Sequence, residues 1–243
     1  MKTIAKYISG LVSLFYPQHC VICGQYLEQS DFDLCKRCWD GLPTIGSSYC
    51  EKCGAYLGPY TKPAKTCSRC KSELKYLKKV VALFRYKDTA KELIHRLKFD
   101  RERHVAYCLA NMLASHLSTD DFINKIDFMI PVPLHWKREM HRTFNQSEII
   151  CSTLAKKLGL KYRTNILVRT KATREQSKLK HRERLNNLKD AFALSLVKKH
   201  KIRNKTILLV DDVMTTGATM SECAKVLKKG GAKRIYGVVV CRA

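Results

Sequence analysis

One stretch, Ile207-Leu208-Leu209-Val210-Asp211-Asp212-Val213-Met214-Thr215-Thr216-Gly217-Ala218-Thr219, constrains the fold of this chain more than any other. Four apolar residues run into two carboxylates, then into a Thr/Gly/Thr turn, then into a helical pattern. An apolar run without polar alternation suits a strand buried on both faces, as in a parallel sheet covered by helices. The acids fall at the carboxyl end of that strand, where open α/β sheets hold their ligands. The turn opens a helix, whose free N–H groups and positive dipole end favour an anion such as phosphate. Carboxylates beside a phosphate cradle repel the phosphate itself, so their natural partners are hydroxyls or a metal ion. A phosphorylated sugar meets all of these demands. The chain contains no GxxxxGK[ST], so an ATP-type P-loop is not the explanation.

From about Lys75 onward, strand and helix patterns alternate. Strands are expected over 80–86, 128–132, 166–168, 191–194 and 235–241, beside the motif strand. Helices are expected after Asp88, read as a cap, then over 102–117 and 144–158, and from the motif to Lys228, where Gly230-Gly231 stops the last one. The alternation predicts an α/β domain with a parallel sheet and right-handed crossovers. The segment 173–188 reads as helical or mobile and is strongly basic.

Eight of the twelve cysteines form four C-x2-C pairs: Cys20/Cys23, Cys35/Cys38, Cys50/Cys53 and Cys67/Cys70. Such a turn aims two thiolates at one ion, and a second turn completes a tetrahedral four-cysteine zinc site. The surrounding segment is too poor in large apolar residues to fold on a core alone, and metal binding supplies the missing folding energy. Sequential pairing of the knuckles is the preferred arrangement; interleaved pairing remains open at this level. Cys108, Cys151, Cys223 and Cys241 sit in helix or strand patterns and read as small core residues.

The formal net charge is +25. Residues 151–205 alone hold 17 Lys/Arg against 3 Asp/Glu. An excess this local points to a polyanionic partner such as single-stranded DNA. Candidate nucleic-acid contacts are Arg169, Lys171, Arg174, Lys178, Lys180, Arg182 and Arg184, with Trp39, Tyr56, Tyr60 and Trp136 available to stack on bases. No segment approaches the roughly 18–20 apolar residues of a membrane span. The start reads as a short amphipathic helix over 3–15 rather than a signal peptide, and paired cysteines in that setting imply reduced thiols and a cytoplasmic protein. The domain layout expected is an N-terminal helix (1–15), a double zinc ribbon (16–74) and an α/β domain (75–243).

The 207–219 segment resembles the phosphoribosyl diphosphate (PRPP) motif of type I phosphoribosyltransferases. Two further clusters extend the likeness. One is Pro131-Val132-Pro133-Leu134-His135 followed by Arg138, Arg142, Thr143, Phe144, Asn145 and Gln146. The other is Arg169, Thr173, Gln176, Leu179, Arg182, Asn186 and Phe192. With the double knuckle and with Phe84-Arg85-Tyr86 to Leu97-Lys98-Phe99, the chain from about 16 to 240 resembles the ComF family, competence-associated proteins with a zinc ribbon ahead of a phosphoribosyltransferase domain. The resemblance implies that Asp211 and Asp212 bind the ribose hydroxyls. It implies that Thr215, Thr216, Gly217, Ala218 and Thr219 wrap the 5′-phosphate, and that Arg142, Thr143, Phe144, Asn145 and Gln146 form the pyrophosphate loop, with Mg²⁺ accompanying PRPP. It further implies handling of single-stranded DNA during natural transformation and association with a helicase-like DNA translocase. The alternatives are a working phosphoribosyltransferase with an unknown acceptor, or a docking scaffold built on the ribbons. One residue departs from the family: Thr143 stands where a glycine is usual. A positive φ there would strain the threonine and weaken diphosphate binding.

Overall fold

The computed structural model describes residues 19–27, 32–136, 140, 142–171, 188–195 and 199–243. The helix expected over 3–15 and the basic segment 172–187 lie outside them. The chain divides into two compact units, 1–42 and 43–243.

In the smaller unit, the Cys20–Cys23 turn is closed by a hydrogen bond from the Cys20 N–H to the Gln25 carbonyl (2.8 Å) and by an antiparallel bridge between His19 and Tyr26. Gly24 has φ +72°, open to glycine without strain. The second knuckle leads into helix α1 (Lys36–Asp40), and Trp39 stacks on Phe32 at 4.9 Å.

The larger unit begins with the second ribbon, whose last knuckle opens helix α2 (Ser68–Glu73). Next come β1 (Val80–Arg85), α3 (Asp88–His95), α4 (Arg103–Leu117), β2 (Phe128–Pro131) and α5 (Gln146–Leu158). A two-stranded antiparallel ladder, β3 (Leu167–Arg169) with β4 (Phe192–Leu194), precedes β5 (Thr206–Met214), α6 (Ala218–Lys229) and β6 (Arg234–Arg242). The main sheet has the order β1-β6-β5-β2 and is parallel throughout. Ile207, Leu208, Leu209 and Val210 are each fully buried, as expected for a strand covered on both faces. Ile207 and Leu209 share a core with Met220, Cys223 and Leu227 of α6. Cys108, Cys151, Cys223 and Cys241 are all buried core residues.

Two local features differ from the sequence reading. Asp88 does not cap α3. It adopts φ +46° inside the first turn, Lys87 occupies the cap position without a side-chain bond, and the Asp88 carboxylate pairs with Lys87 instead. The strand carrying the motif does not stop at Val210. It continues through both carboxylates to Met214, because β6 keeps pairing alongside it, Asp211 against Val239 and Val213 against Cys241.

The second ribbon is part of the larger unit's core. Cys50, Cys53, Ala55, Cys70, Leu74 and Leu77 pack in one cluster with Val80, Ala82, Ala218 and Met220. The Val80 N–H donates to the Lys52 carbonyl (2.8 Å), so the knuckle covers the outer edge of β1. Gly54 allows this approach: a Cβ there would lie 3.2 Å from Ala82 Cβ and 3.3 Å from the Val80 carbonyl oxygen.

Candidate active site and metal centres

The eight knuckle cysteines fall into two groups, Cys20/Cys23/Cys35/Cys38 and Cys50/Cys53/Cys67/Cys70, each with its sulfurs within 4.8 Å of one another. The pairing is sequential. Sulfur separations are 3.7 Å for Cys23–Cys35, 3.6 Å for Cys50–Cys70 and 3.7 Å for Cys53–Cys67. A tetrahedron with Zn–S bonds of about 2.3 Å has edges of about 3.75 Å, so both clusters fit zinc. Burial resists ionisation of Cys20, yet the backbone N–H groups of Cys23, Cys35 and Ile22 draw its thiol down to about 6. Cys67 is held at about 7 in the same way, chiefly by the Cys70 N–H. Burial and the neighbouring thiols act the other way on Cys38, pushed up to about 12, and Cys70, pushed up to about 11, so a bound cation is what would let all four sulfurs of a cluster ionise together.

At the carboxyl end of the sheet, β5 places Asp211 and Asp212 side by side. Asp211 Oδ1 accepts hydrogen bonds from Ser147 Oγ (2.8 Å) and from the Asp212 N–H (2.9 Å). Asp212 is buried and pairs through Oδ2 with Lys98 Nζ at 2.9 Å. Burial, and then repulsion from Asp212, push the Asp211 carboxyl up to about 7, against the pull of Lys98. Lys98 comes from a π-turn, Arg96–Asp100, that extends α3 and ends at Arg101 with φ +62°. The wider π-turn re-aims the last side chains of a helix, a device common at functional sites.

After Met214 the chain turns into α6. Gly217 takes φ +87° as the helix cap, and the Ala218 N–H donates to Thr216 Oγ1 (3.3 Å). The turn is packed from both sides. A Cβ on Gly217 would sit 2.9 Å from Leu74 Cδ2, at the end of the second ribbon. The buried Arg242 guanidinium donates to the carbonyls of Met214 (3.0 Å) and Thr215. Ser221 Oγ, one turn into α6, donates to the Glu73 carbonyl (2.5 Å).

The 142–146 loop lies against the same strand end. Asn145 caps α5, accepting from the Ser147 N–H (3.1 Å) and donating to the Val132 carbonyl (3.2 Å). Phe144 lies under the Arg103 guanidinium at 4.9 Å. Arg142 lies over Phe99 at 5.5 Å and donates to Gln146 Oε1 at 3.4 Å. Ser147, the next residue, connects this loop to Asp211. Thr143 has φ +68°. A β-branched residue in this region is strained by roughly 1–2 kcal/mol. Thr143→Gly is therefore expected to leave stability unchanged or slightly raised, since glycine's extra unfolded-state freedom offsets about 0.4–1 kcal/mol. Affinity for magnesium diphosphate is expected to rise several-fold, measured by titration calorimetry; weaker binding in the glycine variant would show that the threonine hydroxyl serves the ligand.

Of the basic residues singled out by sequence, Arg169 stacks on Phe192 at 5.4 Å and Lys171 Nζ donates to the Lys189 carbonyl at 3.4 Å. Arg174, Lys178, Lys180, Arg182 and Arg184 lie outside the described residues. Among the candidate stacking aromatics, Tyr56 lies under Arg85 at 4.6 Å, Trp136 (58% exposed) lies beside the His135 ring at 5.6 Å, and Tyr60 is 99% exposed. Sequence reasoning assigned no role to Lys98, Ser147 or Arg242. Leu97-Lys98-Phe99 stood out only as a family signature, and no spacing rule brings these three to the motif.

Residues 11–71 match the double zinc ribbon domain family and residues 145–243 the phosphoribosyl transferase domain family, so the chain is a zinc-ribbon protein built on a phosphoribosyltransferase fold. It is 32% identical over 232 residues to DNA utilization protein YhgH of Escherichia coli O6:H1, covering 94% of this chain and 99% of the relative. It is 31% identical over 234 residues to competence protein F of Haemophilus influenzae, with the same coverage, and 29% identical over 230 residues to competence protein ComFC of Streptococcus pneumoniae (89% and 96%). The chain belongs to the ComF family. Solved structures that resemble it include purine phosphoribosyltransferase from Pyrococcus horikoshii (18% identity, 56% of this chain and 83% of that one, TM-score 0.35). Adenine phosphoribosyltransferase from Leishmania tarentolae is similar at 11% identity (60% and 74%, TM-score 0.37). Among the described residues no helix is long and apolar enough to cross a membrane.

Proposed function

We propose that this protein handles single-stranded DNA in the cytoplasm during DNA uptake, and that its phosphoribosyltransferase-type site binds PRPP. The observation that carries the DNA part is the net charge of +25, in a chain whose full-length relatives include two competence proteins and a DNA utilization protein. The site supports the PRPP part. Asp211 and Asp212 accept the ribose 2′- and 3′-hydroxyls, and the 215–219 turn offers N–H groups and the α6 dipole to the 5′-phosphate. The 142–146 loop, tied to Asp211 through Ser147, faces the diphosphate. Mg²⁺, entering with PRPP, supplies neutralisation of the diphosphate charge. A helicase-like translocase of the uptake machinery is the expected protein partner.

The test is binding of a labelled oligo(dT) to the zinc-loaded protein across a salt series. The logarithm of affinity is expected to fall linearly with the logarithm of salt, with a slope of about −0.7 per phosphate neutralised. A salt-independent affinity, or none at low salt, sinks the DNA reading. A second reading, transfer of phosphoribosyl to an acceptor, is favoured by the Ser147 connection, which puts a diphosphate loop within one residue of the ribose carboxylates. Acceptor-dependent release of diphosphate from PRPP distinguishes turnover from binding alone.

A further inference from the structure

A second basic feature lies far from the carboxylates. A cavity of about 710 Å³ opens between the second zinc ribbon and the amino-terminal edge of the sheet. Eight of its lining side chains are cationic and one, Glu51, is acidic. Among the described residues, Lys79 is ion-paired with Asp120, and Lys228 is tied to the carbonyls of Ala232 and Lys233. The other six, Lys52, Lys65, Lys75, Lys78, Lys233 and Arg234, form no ion pair there.

The fold gathers these charges. Lys52 sits inside the Cys50–Cys53 turn, and its carbonyl holds the Val80 N–H. Lys65 precedes Cys67, and Lys75 follows α2, so the metal-held knuckles fix one wall. Lys78 leads into β1 and donates its N–H to the Ile235 carbonyl (2.8 Å), beside Lys233 and Arg234 at the start of β6. Half-buried Tyr49 and Tyr76 also line the cavity. Arg234 pairs with Thr206 and Val239 with Asp211, which separates the groove from the carboxylates by about 16 Å of strand at about 3.3 Å per residue.

A cluster of lysines is usually a solvated face, and one such as Lys228 is also accounted for by a helix carboxyl end. Neither explains six cations outside any ion pair converging on one concavity that a single acid, Glu51, lines, because much of their mutual repulsion persists until an anion enters. The cavity is far larger than one phosphate requires. Aromatic rings among phosphate-seeking lysines are the composition of a single-strand channel, where bases stack while the backbone is neutralised. We propose that a single strand of nucleic acid threads this groove, passing between the second ribbon and the sheet edge. The proposal rests on the DNA-handling reading above and gives it a location.

The test compares two variants of the full-length, zinc-loaded protein that change charge equally. Lys75→Glu/Lys78→Glu alters the groove; Lys156→Glu/Lys157→Glu alters exposed positions at the end of α5. Zinc content and thermal unfolding verify that both fold. The groove variant is expected to bind oligo(dT) at least tenfold more weakly, with a salt slope shallower by about 1 or more, and the α5 variant within about threefold of the parent. Equal losses in both variants, or undiminished binding by the groove variant, overturn the groove while leaving DNA handling intact. Selective loss of poly-glutamate binding with oligo(dT) binding retained also overturns it, and marks the groove for an acidic protein segment. Failure of the parent itself to bind oligo(dT) removes both proposals together.

Discussion

Cys70→Ser is expected to abolish PRPP binding, although Cys70 lies in the second ribbon and is not among the partners of Asp211 or Asp212. Cys70 closes the second cluster and belongs to the core that joins ribbon to sheet. The helix it sits on ends at Glu73 and Leu74. These two residues hold the turn proposed to take the 5′-phosphate, Glu73 through its carbonyl on Ser221 and Leu74 against Gly217. A structural zinc site contributes folding energy on the order of 10 kcal/mol, comparable to the whole stability of a typical domain. Losing it therefore disorders the wall on which the turn rests. Zinc content should fall from two ions to one, PRPP affinity by more than 100-fold, and the thermal transition of the larger unit should broaden or disappear. Two gentler variants keep the claim testable if Cys70→Ser fails to fold. Ser221→Ala removes the bond to Glu73 and spares the metal, and should weaken PRPP about five- to tenfold, the worth of one buried hydrogen bond. Leu74→Ala leaves a cavity beneath Gly217, costs about 2–5 kcal/mol of stability and should loosen the phosphate turn. Full zinc with parent-like PRPP affinity in both would show that the turn stands without the ribbon.

The cysteine spacing does not distinguish the two ribbons, which look alike on the page. Packing does: one closes within residues 1–42, and the other adds an edge to β1 through Gly54 and Lys52. Strands expected over 80–86, 128–132 and 235–241 appear within a residue or two of those limits, because continuous apolar runs leave the backbone few alternatives. The carboxylate pair and the Gly217 turn were legible for the same reason, since strand, acid and glycine follow one another in the chain. What the sequence hides is pairing at a distance. Glu73 and Ser221 are 148 residues apart, and Ser147 and Asp211 are 64 apart. Lys98 reaches Asp212 only because α3 ends in a π-turn, for which there is no local signal. Arg242 reads as an ordinary terminal charge until its carbonyl partners are seen. Asp88 shows the opposite failure: a good cap residue stands at a helix start, but its backbone takes φ +46° inside the first turn and leaves the cap position to Lys87.

Asp211→Asn is expected to lose PRPP binding and gain stability, whereas Asp212→Asn should lose both. The difference lies in their partners. The Asp211 carboxyl is raised to about 7 by burial and by Asp212, so the folded protein prefers it neutral. Its contribution to stability is therefore fully present below the ordinary carboxylate range and is lost as pH rises through about 7. Asparagine keeps the neutral form at every pH. The variant should melt several degrees above the parent at pH 8, where 1 kcal/mol corresponds to about 2–4 °C, by a smaller margin at pH 5, and close to it only below the ordinary carboxylate range. Asp212→Asn instead strands the Lys98 ammonium beside a buried amide and should melt below the parent. For the ligand, each hydrogen bond from a ribose hydroxyl to a carboxylate is worth about 1.5–3 kcal/mol, so either substitution should weaken PRPP roughly 10- to 100-fold. The parent's affinity carries the same signature. Hydroxyl donors require Asp211 ionised, so binding should strengthen up to about tenfold per pH unit below about 7 and level off above it. Titration calorimetry at pH 5.5, 6.5, 7.5 and 8.5, beside thermal melts of both variants, measures every part of this. A flat pH profile, or parent-like PRPP binding by Asp211→Asn, would remove Asp211 from the ribose site and leave the pair as architecture.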